Sequence, residues 1–132
     1  MQIRYYKEYS RYLNRDMEFK VYGHAGRPIL IFPCQSGRFF DWEDRNMCNL
    51  AAPWIDAGKL QIIAADSIDR ESWDNDGPAR PRIEMQERWY NYVCEELTPR
   101  ALEINREQGP DHMGKVLVGG ASTVSYTHLR AH

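Results

Sequence analysis

The sequence has only three cysteines, Cys34, Cys48 and Cys94, and no Cys-x-x-Cys pair. An odd, widely spaced set excludes a disulfide framework and a cysteine-based zinc site, and reads as the reduced thiols of a cytoplasmic protein. No apolar run approaches the ~20 residues of a membrane span, and the opening Met1–Glu8 lacks the apolar stretch of a signal peptide. Neither charge is in surplus: 17 Lys+Arg against 19 Asp+Glu leave a net −2. That removes the electrostatic case for nucleic-acid or anionic-membrane partners. There is no internal repeat and no low-complexity segment. What is present is 132 residues, 42% hydrophobic and 27% charged, the mix of one globular domain with enough chain for a genuine core.

Alternation over Ile3–Leu13 and Met17–Tyr22 predicts an antiparallel pair joined through Asn14-Arg15-Asp16. Gly23–Arg27 reads as a turn, and Pro28-Ile29-Leu30-Ile31-Phe32-Pro33 as a strand buried on both faces, which implies a sheet covered by helices. Met47, Leu50, Ala51, Trp54 and Ile55 recur at three and four and predict a helix over 41–57, with Gly58 as its left-handed cap. Leu60–Ala65 is the next strand, and the acidic, Pro- and Gly-bearing stretch 66–81 a long polar loop. Met85, Trp89, Tyr92, Val93 and Leu97 form the stripe of a helix over 82–107, which Pro99 must kink or restart because it offers no amide proton to Glu95. Lys115–Val118 is a last short strand. Trp42, Trp54, Trp89, Tyr90 and Tyr92 are expected in the core, whereas Trp73, on the long loop, is positioned to line a substrate pocket. The order β-β-β-α-β-α-β predicts an α/β fold: an N-terminal antiparallel hairpin leading into a mixed or parallel sheet flanked by helices.

Chemistry concentrates after the last strand. In Gly119-Gly120-Ala121-Ser122, small residues permit a sharp strand-to-helix turn, and a serine there projects its hydroxyl above the sheet's carboxyl edge. This is the logic of the nucleophile elbow G-x-S-x-G, of which Gly120-Ala121-Ser122 supplies three positions while Val124 breaks the last. The same letters admit a phosphate-binding turn in a nucleotide-binding α/β domain, although Thr123-Val124-Ser125 continue it without glycine. Asp74-Asn75-Asp76-Gly77 does not make a calcium loop, since Ser72 and Ile83 occupy positions that need acids. Cys34, directly after a strand, reads as a thiol beside a loop rather than a nucleophile, and His24 and His112 as surface histidines.

Taken in order, several segments resemble the esterase family of α/β-hydrolases related to esterase D (S-formylglutathione hydrolase) and the mycolyltransferase-like esterases. They are Tyr9–Leu13, Met17–Gly23, Pro28–Pro33 with Cys34-Gln35-Ser36-Gly37, Arg70–Trp73, Glu95–Arg100 and the strand entering Gly120-Ala121-Ser122. The resemblance covers residues 1–122 and implies the N-terminal half of a hydrolase that cleaves carboxylic esters through a serine acyl-enzyme. It implies Ser122 as nucleophile, the Gln35 and Ser36 amides as oxyanion donors, a small-molecule ester as substrate, and no metal or organic cofactor. Acyl transfer by the same fold and a non-catalytic binding module are the alternatives. Residues 123–132 depart from the family, and Val124–His132 resemble adapter sequence read through in environmental assemblies, so this stretch is expected to be a non-native tail. After Ser122 there is no Asp or Glu, and the only histidines are His128 and His132. The triad cannot be completed, so the 132-residue polypeptide is expected to be catalytically inactive.

Overall fold

The structure, a computed structural model, describes residues 1–34, 36–72, 74–107 and 114–120. Five strands, β1 (Ile3–Ser10), β2 (Arg15–Tyr22), β3 (Arg27–Ile31), β4 (Leu60–Ala65) and β5 (Leu117–Gly119), form one mixed sheet in the order β1-β2-β4-β3-β5. β1/β2 and β2/β4 are antiparallel, and β4/β3 and β3/β5 parallel. The expected α/β class is observed. Among the described residues no helix is long and apolar enough to cross a membrane.

The expected hairpin forms, but its turn lies at residues 11–14 rather than at Asn14-Arg15-Asp16, because Arg15 and Asp16 of β2 already pair with Ser10 and Tyr9. Its register sets Tyr6 opposite Phe19 with stacked rings 4.9 Å apart. β1 ends at Ser10 rather than Leu13. Ser10 Oγ accepts the Leu13 amide at 3.1 Å and donates to Glu96 Oε1 at 2.6 Å, while the Arg11 amide donates to Glu96 Oε2. A hydroxyl that takes a local amide competes with the strand ladder and favours a turn, and this one drops Leu13 into the core at 2% exposure.

Period-2 geometry explains how β4 holds the molecule together. Ile63 and Ala65 face one hydrophobic cluster, with Trp89, Tyr92, Val93, Leu97 and Ile104 of the C-terminal helices. Ile62 and Ala64 face the other, with Cys48 and Ile55. A strand buried on both faces reads as an unbroken apolar run because neither parity meets water. Each buried Ile or Phe contributes about 1.5–3 kcal/mol of transfer free energy. The polar member Gln61 is satisfied by Asn105 Nδ2, which donates to Gln61 Oε1 at 2.8 Å.

The helix expected over 41–57 is divided into α1 (Asp41–Asp44) and α2 (Met47–Asp56) by Asn46, whose φ is +63°. Asn tolerates this left-handed backbone better than most residues. α2 packs through Ala51 and Ile55 of the anticipated stripe together with Cys48, while the stripe's Leu50 and Trp54, the latter expected in the core, are 63% and 53% exposed. Gly58 takes φ +74° after the helix, as the cap reading requires. α3 (Ala79–Tyr92) starts three residues before the expected Arg82, and Pro81 fits its first turn, where an amide proton has no intrahelical partner. Pro99 is absorbed by a π-helical turn over Val93–Leu97, after which α4 (Thr98–Arg106) restarts with the proline in its first turn.

Candidate functional site

The parallel strands β3, β4 and β5 all end at one edge of the sheet. The helices that follow β3 and β4 pack on opposite faces, α2 on one and α3 with α4 on the other. Where successive connections leave an open sheet on opposite faces, the loops part and a crevice forms at the strands' carboxyl ends. A cavity of about 290 Å³ lies at this edge. Ile31, Phe32 and Cys34 from the end of β3 line it, together with Ala64 and Ala65 from β4 and Gly120 from just beyond β5. The segment carrying Cys34 and the strand leading to Ser122 therefore reach one space.

Cys34–Gly37 is a tight turn closed by the Gly37 amide donating to the Cys34 carbonyl at 2.8 Å, with Ser36 at φ +55°. A side chain at Gly37 would meet the Cys34 carbonyl at 2.9 Å and the Asp41 carboxylate closer still. Three ties lock the turn onto the segment after β4. The Ser36 amide donates to Asp69 Oδ2 at 2.9 Å, Ser67 Oγ donates to the Gly37 carbonyl at 2.8 Å, and Arg38 Nε donates to Asp66 Oδ1 at 3.0 Å. The Ser36 hydroxyl also donates to the Asp74 carboxylate.

Stretch 66–81 is therefore not a solvated loop at its start. Asp66 and Asp69 are 7% and 3% exposed, and Asp69 opens a short 3-10 turn, Asp69–Glu71. Burial raises the Asp66 carboxyl above its ordinary range, and the Arg38 guanidinium opposes that rise only in part. Arg38 also pairs with Glu18 at 3.1 Å and lies over the Phe39 and Phe40 rings. Farther along, Asn75 Oδ1 accepts the Gly77 amide at 2.8 Å, a turn of the kind that Asn side chains make.

Beside Asp69, Arg15 grips Glu71 through two bonds of 2.6 and 2.7 Å and holds its carboxyl below the ordinary 4.5. A depressed folded value adds stability above the ordinary pKa, which is lost as the pH falls through the folded value. The pair is about 40% exposed on both sides, so solvent screening limits it to under about 1 kcal/mol. Glu71→Gln is expected to lower stability slightly at pH 7 and by less as the pH is taken down through the folded value, read from urea midpoints across that range. Asp66 has the opposite sign: its raised folded value favours the native state on the acid side, and the benefit disappears as pH rises through that value.

Of the residues singled out in the sequence, Ser36 is described and its amide is engaged by Asp69. Gln35, Trp73 and Ser122 lie outside the described residues, as does His112. Cys34 is half-buried on the cavity wall. Asp66, which ends a strand at the edge where sites form, reads from the sequence as a cap or turn residue, whereas it is buried and paired with Arg38; Asp69 and Arg38 were not singled out. No group of three or more metal-ligating side chains occurs among the described residues.

No family model matches this chain, and no curated protein does. Solved structures do. An IroE-like serine hydrolase from Shewanella oneidensis matches with a TM-score of 0.50 and 16% identity, over 75% of this chain and 37% of that one. An uncharacterised protein from Capnocytophaga ochracea matches with a TM-score of 0.54 and 16% identity, over 91% of this chain and 32% of that one. The chain thus spans about a third of the length of these structures. At this identity the likeness speaks for the fold: an α/β sheet flanked by helices, of the kind that a serine hydrolase uses.

Proposed function

We propose that the chain carries the N-terminal part of a serine hydrolase that cleaves carboxylic esters through an acyl-enzyme, with Ser122 as nucleophile. The observation that carries the reading is the shared cavity: Gly120, two residues before the serine, and Cys34, at the head of the turn after β3, line the same space. A nucleophile elbow stabilises its oxyanion with the amide after the serine and a second amide from the loop after β3. Within that loop the Ser36 amide is held by Asp69. This reading therefore gives the oxyanion to Gln35 and makes Ser36 the peg that fixes the turn. The family resemblance assigned both amides to the oxyanion, and the bond to Asp69 is the physical reason for separating their roles.

Catalysis also needs a histidine oriented by an acid, and no Asp or Glu follows Ser122 in these 132 residues. Multiple turnover of p-nitrophenyl acetate is accordingly expected to be absent. An oxyanion hole and binding alone still leave on the order of 10³-fold catalysis over water when a triad member is missing. A fluorophosphonate is therefore expected to label Ser122 slowly but ahead of the other serines, with Ser122→Ala abolishing that adduct in peptide mass spectra. Label spread evenly over the serines, or none at Ser122, would remove the hydrolase reading. Turnover lost in Ser122→Ala would overturn the expected inactivity.

A further inference from the structure

We infer that the cavity beside Gly120 is an acyl pocket for a straight, uncharged acyl group of about eight carbons. This names the substrate class for the hydrolase reading above and rests on it.

The carboxyl end of β4 borders the space. The strand carries Ile62 and Ile63 at its middle and then Ala64 and Ala65 at its carboxyl end, one of each pair on each face. It thus carries large side chains where it must hold the core and only methyl groups where it reaches the candidate site. The two alanines are 2% and 1% exposed and form part of the cavity lining. Phe39, Trp42 and Met47 close the space from the helical side. Trp42 is held by its contact with Tyr22, ring centroids 5.3 Å apart. Met47 is 38% exposed at the first position of α2, and its flexible thioether suits the mouth of a pocket that accepts a chain.

The charges on the wall give no handle for an ionic acyl group. Arg38 is neutralised by Asp66 and Glu18. Arg45 and Asp41 also border it, but their polar atoms contribute little of the wall, which is mostly apolar. At about 30 Å³ for a group the size of a water molecule, the 290 Å³ cavity holds on the order of nine or ten such groups. An octanoyl ester fills it, whereas a butyryl ester leaves half of it empty.

The test titrates the 132-residue protein with methyl butyrate, methyl hexanoate and methyl octanoate. Binding is followed by tryptophan fluorescence and by ¹³C-methyl shifts of Met47 and Ala64, with Met17 and Met85 as reference methyls. Affinity is expected to rise up to about fourfold per added methylene, the factor for burying one CH₂. Ala64→Leu is expected to weaken methyl octanoate at least tenfold and methyl butyrate far less. If Ala64→Leu does not fold, Met47→Trp, at a partly exposed helix position, blocks the mouth and is expected to have the same selective effect. Affinity indifferent to chain length, shifts confined to the reference methyls, or unchanged octanoate binding in a folded variant would overturn the acyl pocket. The two readings separate cleanly. Labelled Ser122 with no chain-length dependence keeps the hydrolase and rejects the pocket. Chain-length-dependent binding without a Ser122 adduct keeps the pocket and rejects the hydrolase.

Discussion

Trp89→Ala is expected to cost about 3–5 kcal/mol, the range for deleting a large aromatic side chain from a packed core. Trp89 is 2% exposed on α3, and its ring meets Phe32 edge-on at 5.3 Å, directly beneath the loop that follows β3. Its indole Nε1 donates to the carbonyl of Asp66 at 3.2 Å, where the chain leaves β4. One side chain therefore supports both segments that frame the candidate site. Trp89→Phe keeps most of the apolar contact and leaves that carbonyl without its indole donor, which adds about 1–3 kcal/mol. Urea unfolding of the two variants should rank them in that order. A cost below about 1 kcal/mol for the alanine variant would contradict the packing described here.

Gly26→Ala is expected to be at least as damaging, for a different reason. Gly26 has φ +105° and lies against the backbone entering β4: a Cβ would sit 2.3 Å from the Lys59 carbonyl carbon and 2.5 Å from the Leu60 nitrogen. Backbone atoms cannot rotate away as a side chain does. β3 and β4 would have to separate at the register pair Arg27–Leu60, where the Arg27 amide donates to the Lys59 carbonyl. Left-handed strain of about 1–2 kcal/mol and displacement of packed backbone at about 1–3 kcal/mol together predict a loss of roughly 3 kcal/mol or more. Thermal unfolding checks it. A melting temperature within about 2 °C of the unsubstituted chain would show that the two strands tolerate separation there.

Gly26 also illustrates what a sequence discloses. Its turn was legible from composition, but the close approach to Lys59 was not, because that depends on which strand β3 lies beside. The hairpin, the strands at Pro28–Pro33 and Leu60–Ala65, the Gly58 cap and the Trp89–Leu97 stripe were legible because each is a local periodicity. α2 was misjudged at its surface. Leu50 and Trp54 recur at helical spacing yet face solvent, while Ala51 and Ile55 of the same stripe, joined by Cys48, make the contact with the sheet. The strand order β1-β2-β4-β3-β5 left no local trace.

The same distinction runs through the site. The turn expected at Gly120-Ala121-Ser122 lies, beyond Gly120, outside the described residues. Asp66 reads as a cap or turn residue and Asp69 as part of a polar loop because their partners, Arg38 and Ser36, lie 28 and 33 residues upstream. No window of adjacent residues contains both halves of such a pair. Burial converts them from loop acids into the clasp that holds the turn after β3.

The central claim is that Ser122 and the Cys34–Gly37 turn are two sides of one oxyanion site. A crystal structure of the 132-residue protein after fluorophosphonate treatment tests it most directly. The account predicts a phosphonyl group on Ser122 Oγ with an oxygen about 2.7–3.1 Å from a backbone amide of the turn, the spacing of an oxyanion donor. A Ser122 hydroxyl directed to the opposite face of the sheet, with no amide of that turn within reach, would contradict it.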